Sequence, residues 1–350
     1  MANRIFELQE TKGTYQVKGL VSGKDKDRFY TSKKTKTGKD FRAVNFGCEY
    51  DDKKTVYMSL NGMPQQNVYF SKRNQNTGKT ETKTVPWANR FNFNEDGYRM
   101  IGVNLGLVKM IDGNGKEVND KMTMHAFDAC EFINATMEDD MSVFIKGNIE
   151  FSSYIDGEGN VRRSVKYVPG QISLCKEVDF GAYDGVDNKP VHDFTQNIVF
   201  MGIAKEEGTD RFIVSAKIVT YSDIVDTEFV ITDSKLAGLF RKNLKAYNAI
   251  TVHGKIEVTH AVQEVDEEDC WGEANSMTSV SAPTKTEMII TGAVPSSIDR
   301  ETYNDKNVSD AIKKIRAAKT AEQNFSGKAN NNETEDWGTS ASDDDGDESW

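Results

Sequence analysis

The chain has 350 residues, of which 37% are hydrophobic and 10% aromatic, and its formal net charge is −11. That apolar content is enough for packed cores in two domains and excludes a wholly disordered chain. No run reaches the roughly 18 consecutive apolar residues that a membrane helix requires, and the N-terminus lacks the apolar stretch of a secretory signal, so we expect a cytoplasmic protein.

The net charge hides an asymmetry between the two ends of the chain. Residues 1–90 carry eighteen Lys and Arg against nine Asp and Glu, whereas residues 320–350 carry one Lys against nine acidic residues. A basic head and an acidic tail on one chain are typical of nucleic-acid contact at one end and protein contact at the other.

Alternating apolar residues and short β-branched or aromatic blocks predict a mainly β protein. In chain order, the strands predicted for the first half are Thr14–Val21, Phe41–Gly47, Thr55–Leu60, Met100–Lys109, Ser142–Tyr154 and Val161–Lys176. Those predicted for the second half are Asn197–Lys205, Arg211–Thr220, Thr227–Thr232, Ala249–Ala261 and Thr286–Gly292. Helical spacing instead predicts helices at His125–Thr136 and Ser234–Leu244, the second capped by Asp233 or Ser234.

An internal repeat is the most informative feature of the sequence. The stretch 143–151 aligns without a gap on the stretch 250–258, and each has a glycine in the middle of a predicted strand, Gly147 and Gly254. An earlier predicted strand with a central glycine precedes the helix of each copy, with Gly19 in the first and Gly202 in the second. The order strands, helix, strand, strand therefore occurs twice.

This order is that of the OB-fold, a five-stranded Greek-key barrel with a helix between its third and fourth strands. Glycine suits the sharp bends that the long strands of a small barrel must make. We therefore predict two OB-fold-like five-stranded barrels in tandem, each with a short helix before its fourth strand, followed by a disordered acidic C-terminal tail. Two unrelated antiparallel sheets that share a glycine bend are the alternative.

The two predicted barrels differ in length. Gly19 and Gly147 are 128 residues apart, whereas Gly202 and Gly254 are 52 apart, so the first barrel carries a large insertion at about 61–100. Long loops inside compact domains are usually functional or disordered. We expect the domains to be a first OB-like domain at 1–180, a second at 195–293, a linker with a short amphipathic helix at 294–320 and a disordered tail at 321–350.

Sequence-tolerant binding of a single strand needs cations for the phosphates and flat side chains for the bases, at about 1–3 kcal/mol per stacked base. In OB-folds the loops that join strands one and two and strands four and five grip oligonucleotides. Around the first loop the candidate residues are Lys18, Lys24, Lys26, Arg28, Phe29, Tyr30, Lys33, Lys34, Lys36, Lys39, Phe41 and Arg42. Around the second they are Tyr154, Arg162, Arg163, Lys166 and Tyr167, and in the insertion they are Tyr69, Phe70, Lys72, Arg73, Trp87, Arg90 and Phe91.

Each of these residues has a structural alternative, because Lys-rich turns are usually solvated and aromatic residues on strands usually fill the core. Val44 and Phe46 are expected core residues. The interleaving of cations and rings at both expected loops favours binding by the set. The second barrel has a short first loop at 206–210 and an acidic run at 264–269, so we expect it to be a scaffold or protein-contact domain.

The sequence shows no catalytic or metal-binding pattern. Its four cysteines and four histidines lack metal-ligand spacing. The stretch 19–25 is one residue short of a phosphate-binding loop and ends in Asp where Ser or Thr is needed. We therefore predict a binding protein that is not an enzyme and that needs no cofactor or metal.

The last eight residues form an acidic run that ends in an aromatic residue. This end resembles the tail of bacterial and phage single-stranded DNA-binding proteins, and the strand around Gly147 is loosely similar to the fourth strand of that family. The resemblance implies an OB-fold that binds single-stranded DNA in replication, recombination and repair. It also implies that the tail recruits replication proteins through Asp343, Asp344, Asp345, Asp347, Glu348 and Trp350.

Members of that family usually have one barrel per chain and assemble as tetramers, whereas this chain has two unequal barrels, which leaves its oligomeric state open. A duplicated version with an insertion suggests a bacteriophage replication protein in the host cytoplasm. Two other functions fit the same sequence, a phage tail or baseplate protein built from β-barrels and an RNA-binding OB-fold regulator. A structural subunit would ignore single-stranded DNA and would have no use for Trp350.

Overall fold

The computed structural model describes residues 4–75, 77–156, 160–182, 186–260 and 284–326, and strands predominate among them. The elements of the first half are β1 (Gly13–Ser22), β2 (Tyr30–Lys34), β3 (Asp40–Asp51), β4 (Lys54–Gly62), β5 (Asn67–Arg73), β6 (Thr80–Pro86), β7 (Arg99–Met100), β8 (Val103–Ile111), β9 (Glu117–Met124), α1 (Ala126–Thr136), β10 (Ser142–Ile155) and β11 (Val161–Leu174). Those of the second half are β12 (Val191–Lys205), β13 (Phe212–Val219), β14 (Ile224–Ile231), α2 (Ser234–Asn243), β15 (Asn248–His260), β16 (Thr284–Asp299) and α3 (Asp305–Ser326).

The first barrel closes through five strands in the OB-fold order. β1 pairs with β3, β3 with β4, β4 in parallel with β11, β11 with β10, and β10 again with β1. The parallel contact places Tyr167 opposite Met58. α1 precedes the fourth barrel strand, β10, as the sequence predicted.

The second barrel repeats this order. β12 pairs with β13, β13 with β14, β14 in parallel with β16, β16 with β15, and β15 with β12. α2 again precedes the fourth strand. The prediction of two OB-fold barrels is confirmed, and the alternative of two unrelated sheets is wrong.

The two barrels share one continuous sheet, because β1 also pairs with β12 and places Tyr15 opposite Phe194. Side-chain contacts reinforce this joint. The Tyr50 hydroxyl accepts a hydrogen bond from the backbone N–H of Val258 at 2.9 Å, and the Tyr50 ring stacks on His192 with 4.2 Å between ring centroids. Most buried residues of both barrels belong to one hydrophobic cluster.

The repeated glycines sit at equivalent β-bulges between the fourth and fifth strands of each barrel. The register shifts at Gly147 in the first barrel and at Gly254 in the second. A Cβ atom on Gly147 would lie 2.0 Å from the carbonyl oxygen of Val168, and one on Gly254 would lie 1.8 Å from that of Ile289. The repeat therefore marks two places where a neighbouring backbone approaches too closely for any side chain.

The insertion of the first barrel is folded and extends further than the predicted 61–100. β5, β6 and β7 form a separate three-stranded sheet around Val68, Phe70 and Val85. The predicted strand Met100–Lys109 is split, and its main part, β8, forms a hairpin with β9 and a parallel pairing with β11. Its apolar pattern resembles that of a barrel strand, and only the pairing shows that it lies outside the five-strand barrel.

Both predicted helices are present, and a side chain caps each one. His125 Nδ1 accepts a hydrogen bond from the Phe127 N–H at the start of α1, and Asp233 Oδ1 accepts one from Lys235 at the start of α2. The sequence pattern missed the strands β2, β5, β6 and β9. β2 and β6 are largely polar on both faces, so they lack the alternation that predicts a half-buried strand. β5 does alternate, with Val68 and Phe70 buried, but only over a few residues.

The segment predicted as a linker is packed on the second barrel. Residues 294–299 continue β16, and the predicted short helix is the first part of α3. Val308, Ala311 and Ile315 of α3 pack in a cluster with Phe6 and Tyr303. The other predicted domain boundaries stay predictions, and the acidic end at 343–350 lies outside the described residues.

No helix among the described residues is both long and apolar enough to cross a membrane.

Substitution of the bulge glycines tests this account of the repeat. We expect Gly254→Ala to destabilise the protein by about 1–3 kcal/mol, because its Cβ would displace the backbone of β16. Gly202→Ala is the matched control, since nothing lies within 4 Å of its Cβ position, and it should change stability by less than about 0.5 kcal/mol. Urea unfolding followed by circular dichroism measures both. Equal losses in the two variants would contradict the account.

Candidate nucleic-acid interface

The outward side of β3 and β4 forms an exposed polar and aromatic surface, which we call the outer face. Alternation along both strands turns Val44, Phe46, Met58 and Leu60 into the core, as predicted for the first two. Tyr57, which was not among the predicted site residues, is 57% exposed on the outer face. Cross-strand pairing places Asn45 opposite Ser59 and Gly47 opposite Tyr57. The outer face consists of Phe41, Asn45, Tyr57, Ser59 and Asn61.

The predicted lysines at 33–39 lie in the hairpin of β2 and β3, next to the Phe41 end of the outer face. Lys33 lies opposite Phe41, with its Nζ 5.9 Å from the ring centroid. Lys34 forms an ion pair with Asp40 at 2.9 Å. Among the described residues no ion pair engages Lys33, Lys36 or Lys39, and all three are exposed. The hairpin therefore offers three cations to an external anion, beside the partly exposed ring of Tyr30.

The predicted cations that precede this hairpin are engaged within the protein to different degrees. Lys24 Nζ donates to the Asn134 carbonyl oxygen and lies over the buried ring of Phe29, 4.7 Å from its centroid. Lys18 donates to the Asp187 carbonyl oxygen at 2.6 Å. Lys26 and Arg28 are exposed. Phe29 is a core residue and has no surface on which a base could stack.

Arg42 connects the hairpin to the N-terminal turns of α1. Its Nη1 forms an ion pair with Glu131 at 2.8 Å, and its guanidinium carbon lies 4.1 Å from the ring centroid of Phe127. Neither Glu131 nor Phe127 was predicted as a site residue. The helix thus holds the Arg42 side chain at the edge of the barrel.

The insertion docks on the same helix through Arg90. Its Nε and Nη2 donate to the two carboxylate oxygens of Asp128 at 2.8 and 3.0 Å, and its Nη1 donates to the Trp87 carbonyl oxygen at 3.0 Å. The guanidinium carbon lies 4.0 Å from the Trp87 ring centroid and 4.2 Å from that of Phe91. We call these four residues, Trp87, Arg90, Phe91 and Asp128, the Arg90 cluster.

The rings of Trp87 and α1 meet edge to face. The Trp87 centroid is 4.9 Å from that of His125 and 6.0 Å from that of Phe127. Burial lowers the pKa of His125, the nearby Asp128 carboxylate opposes this shift, and the positive charge of Arg90 adds to it. The ring is therefore neutral at pH 7, which leaves Nδ1 free to accept the capping hydrogen bond from Phe127.

The other candidates of the insertion lie on its three-stranded sheet. Tyr69 is 43% exposed, whereas Phe70 is buried in the small core of the sheet. Lys72 donates to the Asp96 carbonyl oxygen at 2.9 Å and lies over the Tyr98 ring. Arg73 is exposed. Phe70 therefore stabilises the insertion and offers no stacking surface.

The second predicted loop joins β10 and β11. Arg162 forms an ion pair with Asp156 at 2.8 Å and lies opposite Tyr154, and Arg163 is exposed. Lys166 lies opposite Glu150, and burial lowers its pKa. Tyr167 is a core residue that packs edge to face on Tyr15, with 5.2 Å between centroids.

The two predicted loops leave the barrel at opposite ends of β1. The first follows Ser22, whereas β10 runs antiparallel to β1 and carries the second loop past the Thr14 end. β11 runs parallel to β4, so the second loop, which precedes β11, lies next to the first residues of β4. The β2–β3 hairpin lies next to the other end of β4, where Arg42 pairs with Gly62. The loops therefore do not meet, and the outer face lies between them.

The base of the second hairpin is tied to the second barrel. Ser153 Oγ donates to Asp223 at 2.9 Å, and Lys319 of α3 donates to the same carboxylate at 2.9 Å. In the second barrel the cations around the first loop are neutralised. Lys205 pairs with Asp210 at 3.1 Å, and Arg211 bonds to Glu287 at 2.7 Å. The free lysines of the first hairpin have no equivalent in this loop.

The corrections to the predicted set share one cause. Phe29, Phe70 and Tyr167 point into cores, because the strand or loop that carries each one places it on the inward side. Conversely, alternation along the predicted strand Thr55–Leu60 would have identified Tyr57 as outward, between the buried Val56 and Met58. The acidic and aromatic partners on α1 carried no comparable signal.

Comparison with known proteins adds a distant structural likeness. No curated protein sequence matches the chain. Two crystal structures of the single-stranded DNA binding protein from Thermus aquaticus are similar to it, a wild-type form at 9% identity and a deletion mutant at 8%. The wild-type superposition covers 82% of this chain and 93% of that chain with a TM-score of 0.37, and the mutant one covers 81% and 94% with 0.38.

These superpositions are too loose to transfer residues or an activity between the proteins. A family model gives a firmer assignment. The model described as YorF matches residues 72–328, which span most of the insertion, the remainder of the first barrel, the whole second barrel and α3. Because this match covers more than half of the chain, the protein belongs to the YorF family.

Proposed function

We propose that this protein binds single-stranded DNA without sequence preference and protects it during replication and recombination. The observation that carries the proposal is the combination, on one side of the first barrel, of the outer face and its exposed Tyr57 with three exposed lysines. These lysines form no ion pair within the described part of the chain. The lysines can neutralise phosphates, and the rings of Phe41 and Tyr57 can stack with bases.

The chemistry of this surface favours a single strand over a duplex. A single strand presents the flat faces of its bases to aromatic side chains, whereas a duplex hides them in the stack. Lysine is a flexible point charge and recognises phosphate without reading a base. The second barrel, whose first-loop cations are ion-paired, acts in this proposal as a scaffold that holds the first barrel.

We also propose that the acidic end at 343–350 recruits replication proteins. Trp350 would enter an apolar pocket on the partner while the neighbouring carboxylates interact with basic residues around it. This part rests on the sequence alone. The setting we propose is the cytoplasm of a bacterial host, with the chain encoded by a bacteriophage.

Competition among nucleic acids tests the function directly. Single-stranded DNA, single-stranded RNA and duplex DNA of equal length would compete with a fluorescent single-stranded DNA for the full chain. We expect single-stranded DNA to be the strongest competitor and the duplex the weakest. Equal competition by RNA would instead favour an RNA-binding regulator, and no binding of any nucleic acid would favour a structural subunit.

Removal of the hairpin cations tests the location of the surface. The variant Lys33→Ala/Lys36→Ala/Lys39→Ala should bind single-stranded DNA more weakly. The slope of log affinity against log salt should become shallower by about 2, because each of the three lost phosphate contacts contributes about 0.7. The matched control, Lys235→Ala/Lys242→Ala/Lys245→Ala, removes three exposed lysines from the second barrel. Fluorescence anisotropy across a salt series measures both, and an equal effect in the control would contradict this location.

Deletion of residues 340–350 tests an electrostatic contact between the tail and the basic head. The tail carries five carboxylates in this stretch, and its loss should tighten binding of single-stranded DNA at low salt. The effect should shrink near 0.15 M salt, where the Debye length is about 8 Å. Trp350→Ala is the control and should leave DNA affinity unchanged. An unchanged affinity of the deletion variant at low salt would contradict the contact.

A further inference from the structure

We propose that Phe91 is a base-stacking residue of the insertion and that Arg90 is the positioning residue that holds its ring in place. This inference rests on the proposed function and deepens it, because it places a nucleobase site outside both loops and outside the five barrel strands. The juxtaposition that carries it is the Arg90 guanidinium between the rings of Trp87 and Phe91.

Phe91 is an exposed ring with a fixed neighbour on one side. It is 63% exposed and belongs to none of the hydrophobic clusters formed by the described residues. Phe93 and Trp87, close to it in sequence, both pack against the core of the three-stranded sheet. Phe91 therefore contributes little to the stability of the insertion, and most of its ring surface is open to a flat ligand.

Arg90 is committed to contacts within the protein. Its three nitrogens each donate a hydrogen bond, two to Asp128 and one to the Trp87 carbonyl oxygen. The ion pair is largely buried, with 16% of the Arg90 side chain and 10% of the Asp128 side chain exposed. A guanidinium held in this way cannot turn toward a phosphate without leaving a buried carboxylate unpaired. Its role is to present Phe91.

A fixed ring binds a base more strongly than a mobile one. The contact with Arg90 limits the rotamers of Phe91 before binding, so stacking loses less conformational entropy. The ring also continues a series of contacting cations and rings that begins at the hairpin. Arg42 lies over Phe127, Phe127 meets Trp87, and Trp87 lies against Arg90. This series leads from the end of β3 that borders the outer face to Phe91.

The experiment compares oligonucleotides with and without bases. A thymidine oligonucleotide and an abasic oligonucleotide of the same length would be bound by the full-length wild type, Phe91→Ala, Phe91→Trp and Arg90→Lys. The matched control is Phe180→Ala, which removes another exposed ring, in the segment between β11 and β12. Thermal unfolding of each variant reports whether the insertion stays folded.

We expect Phe91→Ala to weaken binding of the thymidine oligonucleotide by about 5- to 150-fold, corresponding to the loss of one stacked base, and to leave abasic binding unchanged. Phe91→Trp should restore binding, and Phe180→Ala should change neither ligand. Arg90→Lys keeps the positive charge but loses the planar guanidinium that lies against the Phe91 ring. It should therefore weaken binding of the thymidine oligonucleotide as Phe91→Ala does, without changing the salt dependence of binding.

The outcomes separate this inference from the proposed function. If the wild type binds the thymidine oligonucleotide and Phe91→Ala binds it equally well, the inference fails and the proposed function stands. A further variant, Arg90→Gln, removes the charge. If it weakens both ligands equally and makes the salt slope shallower by about 0.7, Arg90 contacts a phosphate and the positioning role is wrong. If the wild type binds neither oligonucleotide, both the inference and the proposed function fail.

Discussion

The pairing of β1 with β12 is the constraint on which the rest of the structure depends. β1 pairs with β10 along most of its length, with β12 over its first part and with β3 at its end. One edge of β1 pairs with β10, and only the last residues of its other edge pair with β3. β12 of the second barrel pairs with the remainder of that edge, which would otherwise be exposed. The two barrels therefore form one sheet, and separating them would expose backbone groups and the stacked ring of Tyr50.

The two joined barrels differ in how their charged side chains are used. The second barrel uses the cations of its first loop in its own ion pairs and receives α3 on its surface, so it is built for internal contacts. In the first barrel, three lysines form no ion pair with any residue that the structure describes, and these residues also leave the outer face open. Ion pairs within a surface reduce the positive potential available to a phosphate chain, whereas free lysines preserve it. The two barrels thus differ in their electrostatics as well as in the insertion that only the first one carries.

The insertion adds to the first barrel a group of rings that the OB-fold itself does not provide. Its β8 strand pairs with β11, and its ring-bearing part is held on α1 by the largely buried ion pair between Arg90 and Asp128 and by the ring contacts of Trp87. A buried pair of this kind is weak evidence for stability but fixes geometry well, because either partner alone would be left as an unpaired charge. The insertion can therefore present a ring in a defined place on the barrel.

The sequence by itself determined the fold class, the repeat and the two helices, because bulge glycines, capping residues and apolar alternation depend on local backbone geometry. Gly147 and Gly254 could be predicted in this way, and so could the core positions of Val44 and Phe46. Only the tertiary structure decided which candidates of the site are usable. Phe29 and Tyr167 are buried while Tyr57 is exposed, and Arg90 meets Asp128 across 38 residues of sequence. Partners so distant in the chain leave no periodic signal, since their contact depends on how the insertion folds back on α1.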